Sequence, residues 1–156
     1  MDLGHDSIWM TEAIKEARKA LEEGEIPIGA VVVSGGKIVG RGHNRVESLK
    51  DATAHAEIIA LGAASSGTGD WRLEDSTLYV TVEPCLMCLG AMFMSRVARL
   101  VFGALDSRSG ACGGAVDLAG LNYMDREITI DGGILAEECK GLLLEFFSKV
   151  RQPEER

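Results

Sequence analysis

The segment that most limits how this chain can fold is Thr77-Leu78-Tyr79-Val80-Thr81-Val82, a β-branched run that meets Glu83 and Pro84 and is followed by Cys85 and Cys88. Such a run favours a strand, and Pro84 suits the first turn of a helix, where its missing N–H costs nothing. The pattern predicts a strand over 77–82 and a helix to about Met94, with Cys85 and Cys88 in its first turn. Residues at i and i+3 share a helix face, so both sulfurs aim at one point, where the helix N-terminus favours thiolate. Upstream, Thr53-Ala54-His55-Ala56-Glu57 opens another predicted helix. A fold that carries His55 to the two sulfurs builds a metal site with three protein ligands.

The ligand count carries chemistry. Zinc sites with three protein ligands usually keep the fourth position for water, whereas structural sites are closed by a fourth residue. Zinc lowers the pKa of bound water towards ~7, and two thiolates with a neutral imidazole leave the site formally uncharged. Glu57 can approach the metal without binding it and is expected to be the catalytic proton carrier. A zinc-stabilised scaffold would need no such carboxylate. The signature His-x-Glu followed by Pro-Cys-x-x-Cys, with a glutamate that is not a ligand, is the known pattern of zinc deaminases. One zinc per chain is expected, held by His55, Cys85 and Cys88. Cys112 and Cys139 have no ligand-spaced partner and are read as structural.

The remaining elements follow from periodicity. Apolar residues at helical spacing predict a first helix over 8–21, with Asp6 or Ser7 as N-cap and Gly24 as terminator. Residues 26–33 and 37–42 read as strands joined through Ser34-Gly35-Gly36, a hairpin loop. A second helix over 54–64 ends at Gly67 and Gly69, a strand covers 99–103, a weaker one 127–130, and a last helix 135–150. The glycine-rich stretch 110–114 is a loop. Strands separated by helices need right-handed crossovers, so the later strands should be parallel. The expected fold is α/β, a three-layer α/β/α sandwich in one domain over residues 1–156.

Composition narrows the partners. No apolar run approaches the roughly 20 residues that span a bilayer, and the N-terminus is acidic, so no membrane partner and a cytoplasmic location are expected. Four cysteines are too few for a secreted disulfide framework. The net charge of −8 argues against indiscriminate nucleic-acid binding. That charge lies at the ends: residues 1–25 contribute −4 and 125–156 contribute −3. The middle holds Lys37, Arg41, Arg45, Lys50, Arg72, Arg96, Arg99 and Arg108, enough for a locally basic rim.

Over about residues 9–151 the chain resembles the bacterial tRNA-specific adenosine deaminases of the cytidine deaminase superfamily. The resemblance rests on Ile26-Pro27-Ile28-Gly29-Ala30-Val31, Gly42-His43-Asn44-Arg45, Thr53-Ala54-His55-Ala56-Glu57, the run from Thr77 through Glu83-Pro84-Cys85, Val101-Phe102-Gly103-Ala104, and Phe146-Phe147. It implies the mixed five-stranded sheet of the cytidine deaminase type. It also implies deamination of adenosine to inosine at the wobble position of a tRNA anticodon loop, in a homodimer. Asn44 then matches an asparagine that hydrogen-bonds the flipped base, the Ala56 backbone a further base contact, and Asp106 an aspartate near the substrate ribose. Phe146 or Phe147 matches an aromatic packed by the anticodon loop, with at least one of the pair in the core. The dimer should also cover a face around residues 92–97. The chain departs from the family at Met94, Leu105 and Gly114, in the segment 118–126, and in a less basic tail at 148–151. All of these lie in regions that handle RNA, which leaves deamination of a free nucleobase or nucleoside, such as guanine or cytosine, as the alternative.

Overall fold

The computed structural model describes residues 3–151. The first helix, α1 (Leu3–Glu22), leads into β1 (Gly29–Ser34) and β2 (Lys37–His43), then a short helix α2 (Val46–Leu49) and α3 (Ala56–Thr68). There follow β3 (Ser76–Val82), α4 (Leu86–Met94), β4 (Arg99–Ala104), β5 (Thr129–Asp131) and α5 (Ala136–Arg151). The sheet order is β2-β1-β3-β4-β5; β1 is antiparallel to β2 and β3, and β3, β4 and β5 run parallel. Buried residues of α3 and α4 pack one face of the sheet, those of α1 and α5 the other. The three-layer sandwich and its mixed five-stranded sheet are those read from the sequence.

Several boundaries differ, each for a local reason. The chain enters β1 at Gly29 rather than residue 26, because Pro27 has no N–H for a ladder and Ile28 N–H bonds back to the Ile26 carbonyl at 2.8 Å. Asp6 and Ser7 lie inside α1 and are not its N-cap. Asp6 is spent elsewhere, as shown below. Gly67 stays within α3, and Gly69, in a left-handed conformation, is the C-cap. β5 is shorter than expected and begins two residues later. The helix α2 is absent from the sequence reading; the buried Glu25 carboxylate caps it by accepting from Glu47 and Ser48 N–H at 2.8 and 3.1 Å. Gly35 and Gly36 both have positive φ, as a two-residue type I′ hairpin turn requires.

Two close approaches hold the layers. A Cβ at Gly29 would meet the α1 backbone at Ala13 and Ala17. A Cβ at Gly42 would stand 2.5 Å from the Ala56 carbonyl and 2.6 Å from Ala60 N, so the start of α3 rests directly on the β2 backbone. Among the described residues no helix is long and apolar enough to cross a membrane.

Beneath the sheet an ion-pair network ties α1 to three strands. Arg99 binds both Asp6 oxygens at 2.8 Å and reaches Asp131 at 2.8 and 3.0 Å, while Tyr79 Oη donates to Asp6 at 2.8 Å. Arg99 holds the Asp6 carboxyl below its ordinary range against the opposing effect of burial, with help from Tyr79. Removing one partner of a buried pair strands the other charge, at a cost of about 3 kcal/mol. Arg99→Met should therefore lower unfolding stability by about that amount in denaturant titrations. Because the folded carboxyl titrates below the unfolded one, the wild type's advantage over Asp6→Asn should be present above about pH 4 and vanish as the pH falls further.

Candidate active site

Two helix N-termini meet at one point. His55 is the N-cap of α3, with φ −73° and ψ 152°, and Cys85 is the N-cap of α4, with φ −77° and ψ 176°. Pro84 thus precedes the helix instead of lying in its first turn. Glu83, as the residue before a proline, is disfavoured from helix, and the backbone is still extended at Cys85. Leu89 N–H bonds to the Cys85 carbonyl at 3.0 Å and closes the first turn. Cys88, one turn in, is fully buried.

His55 Nδ1 lies 3.6 Å from Cys85 Sγ and 3.4 Å from Cys88 Sγ, and the three donor atoms fall within 4.8 Å of one another. A tetrahedral ion with metal–sulfur bonds of ~2.3 Å and a metal–nitrogen bond of ~2.0 Å places N and S about 3.5 Å apart. The donor set therefore has the spacing and softness of a zinc site, and no fourth His, Cys, Asp or Glu joins it among the described residues. The electrostatics agree. The Cys85 thiol is held far down, to about 4, by a hydrogen bond from Cys88 and another from His55. Cys88, as donor to that thiolate and by burial, is pushed up; His55 is pushed up chiefly by its bond to Cys85. The N-terminus of α4 reinforces the Cys85 thiolate.

Glu57 is the second residue of α3 and only 4% exposed. Burial pushes its carboxyl up, while hydrogen bonding to Cys88 and the neighbouring His55 charge oppose that shift. Ala56, fully buried, is the first residue of the same helix, so its N–H belongs to the turn that has no intrahelical acceptor. Asn44, 6% exposed, follows β2 and shapes the turn: its Nδ2 donates to the Ile26 carbonyl at 3.3 Å and its Oδ1 accepts from Val46 N–H at 3.4 Å.

The other expected contacts are more scattered. Asp106 lies in the loop after β4, two residues beyond the strand, and its carboxylate accepts from Arg108 N–H, Ser109 N–H and Ser109 Oγ at 3.0, 3.1 and 2.7 Å. Phe146 and Phe147 lie on α5, whose buried residues pack the face opposite α3 and α4. They stack edge to face with ring centroids 5.3 Å apart, Phe146 half-buried and Phe147 exposed, so neither is in the buried core. Cys112 and Cys139 are free thiols, each pushed up to about 12 chiefly by burial.

Glu83 went unread in the sequence. It is 3% exposed, and its carboxylate accepts N–H bonds from Asp106, Cys112 and Gly114 at 3.0, 2.8 and 2.8 Å. The signal was there: an acid between a buried strand and the cysteine pair, with a glycine cluster at 110–114 able to let backbone close around it.

The model of the cytidine and deoxycytidylate deaminase zinc-binding region matches residues 4–104. The tRNA-specific adenosine deaminase of Bacillus subtilis is 46% identical, over 94% of this chain and 91% of its own. A solved structure from work on A-to-I editing by tRNA:A34 deaminases at the wobble position of transfer RNA is 38% identical with a TM-score of 0.82, over 86% of this chain and 98% of its own. The guanine deaminase of Nitrosomonas europaea is 25% identical with a TM-score of 0.75, over 91% and 84% of the two chains. With the His-x-Glu and Pro-Cys-x-x-Cys residues converging as a zinc-type donor set, the chain belongs to the zinc-binding cytidine and deoxycytidylate deaminase family, in its tRNA-specific adenosine deaminase branch.

Proposed function

We propose that this protein hydrolyses the amino group of adenosine to leave inosine at the wobble position of a tRNA anticodon, acting as a cytoplasmic homodimer of single-domain chains. The observation that carries the reading is a buried carboxylate, Glu57, beside three donors at tetrahedral zinc spacing. His55, Cys85 and Cys88 would hold the ion. When bound, zinc supplies Lewis acidity that lowers the pKa of water at neutral pH. Glu57, which is not one of the three donors, accepts a proton from the attacking water and passes it to the ring nitrogen beside the reacting carbon, then takes the remaining proton of the added hydroxyl and delivers it to the amine, which departs as ammonia as the carbonyl forms.

The base needs donors and acceptors that survive burial. Asn44 spends one N–H and one lone pair on the turn, which leaves one of each for an adenine edge. Ala56 offers its N–H from the helix N-terminus. Asp106 would serve the ribose, and the exposed ring of Phe147 beside Phe146 would offer aromatic surface to splayed anticodon bases. Charge supports RNA as the substrate. Of the eight bases in the middle segment, Arg41, Arg72, Arg96 and Arg99 are neutralised by acids, whereas Lys37, Arg45, Lys50 and Arg108 make no ion pair among the described residues. Arg45 adjoins Asn44, Arg108 follows Asp106 by two, and Arg45 Nε is buried with no hydrogen-bond partner among those residues.

The dimer reading draws on an exposed apolar patch. Met92 and Val97 are buried in their own chain, so the expected face at 92–97 shrinks to Met94. Met94 instead borders a cleft of ≈ 490 Å³ with Trp71, Phe93 and Met124, and Trp71, Met94, Tyr123 and Met124 are all about half exposed. Surfaces of this kind mark association sites.

Elemental analysis should find one zinc per chain, lost in the double variant Cys85→Ala, Cys88→Ala. Glu57→Gln should keep the zinc and the fold while kcat on an anticodon stem-loop drops by roughly 10²–10⁴-fold, and near-wild-type turnover would reassign the proton carrier. The salt dependence of stem-loop affinity should lose about 0.7 of its logarithmic slope with each of Arg45→Glu and Arg108→Glu. Release of ammonia from guanine or cytosine, with every stem-loop ignored, would replace this substrate by a free base. Light scattering should return twice the chain mass at micromolar concentration, and Met94→Glu with Met124→Glu should return a single chain.

A further inference from the structure

Glu83 is a buried carboxylate for which the chemistry above has no use. It makes no ion pair among the described residues; its acceptors are filled by backbone instead, Oε1 by Asp106 N–H and Oε2 by Cys112 and Gly114 N–H. Two further bonds join the same segments, Glu83 N–H to the Ala104 carbonyl and Ala111 N–H to the Pro84 carbonyl, both at 2.8 Å. The loop is shaped to this carboxylate. A Cβ at Gly110 would collide with the Glu83 carboxyl, and one at Gly114 would stand 2.6 Å from Glu83 Oε1 and strike the Asp106 carbonyl. Only glycine at those two places lets the backbone close over the acid. On its other side Glu83 is two residues from Cys85, and Ala111, Cys112 and Leu118 belong to the same core cluster as Cys85 and Cys88.

We propose that Glu83 is a positioning residue whose carboxylate clamps the 104–114 loop against the Cys85 turn, so that Asp106 and Arg108 meet the substrate already in place. This rests on the proposed roles of those two residues. Charge-assisted bonds from three N–H groups hold a loop more firmly than neutral ones, and a preformed loop spares the substrate the cost of ordering it. Glutamine in place of Glu83 keeps the size but turns an amide N–H toward a backbone N–H, which leaves part of the cradle unsatisfied.

The test compares wild type, Glu83→Gln, Gly114→Ala and, as a core control, Val33→Ala, reading zinc content, thermal unfolding, and KM and kcat on an anticodon stem-loop. Both clamp variants should keep one zinc per chain and raise KM about tenfold, equivalent to ~1.4 kcal/mol, with kcat little changed. Val33→Ala should lose stability and leave KM alone. Unchanged KM in the folded clamp variants, or loss of zinc from them, overturns the proposal. If Glu83→Gln does not fold, Gly114→Ala, which keeps the carboxylate and displaces the loop, decides by itself. Should the wild type deaminate a free base and ignore the stem-loop, the tRNA reading has failed separately. The clamp is then judged by KM for that base, upheld by a rise in both variants and overturned by none.

Discussion

Three donor atoms from two helices must converge within 4.8 Å, and most of the architecture answers that requirement. His55 comes from the head of α3 and the two sulfurs from the head of α4, so both helices must point their N-termini at one place. Parallel β3 and β4 with α4 as their crossover supply one direction. The contact of α3 with Gly42 supplies the other, because no side chain intervenes to lift Ala56 off β2. The convergence also has an electrostatic logic: two positive helix ends face the two sulfurs and favour the thiolate form that a metal needs.

A second theme is the use of buried carboxylates as fasteners for loops. Glu25 caps α2 next to Asn44, and Glu83 gathers the loop that holds Asp106. Each therefore supports a segment proposed to meet the substrate, while Asp6, beneath the sheet, fastens α1 through Arg99 and Tyr79. Helices hold the metal donors rigidly, and loops hold the groups proposed to read the nucleotide. Loops reach such precision only when their backbone polar groups are satisfied by something fixed. Carboxylates serve well here, since each oxygen accepts more than one N–H and the charge strengthens every bond.

Long-range contact also explains where the sequence misled. The periodicity of α1 was correct, yet Asp6 looked like an N-cap because aspartate near a helix start usually is one. Its real partners, Tyr79 and Arg99, are remote in sequence. The stretch 110–114 read only as a loop because Gly110 and Gly114 answer to Glu83, far upstream. Helix α2 was invisible for a similar reason: four residues carry little periodic signal, and the cap comes from Glu25.

The sequence by itself determined the layer order, the parallel strands and the donor set, because these follow from local physics: β-branched runs, helical spacing, a proline before paired cysteines, and the coordination preferences of imidazole and thiolate. Tertiary structure alone decided that Cys85 is a cap residue, that four arginines of the middle segment are paired with acids while Arg45 and Arg108 make no ion pair among the described residues, and that the Glu83 carboxylate is filled by backbone N–H groups. Each of these depends on which distant residue arrives alongside, and partners separated by dozens of positions leave no periodic trace in the chain.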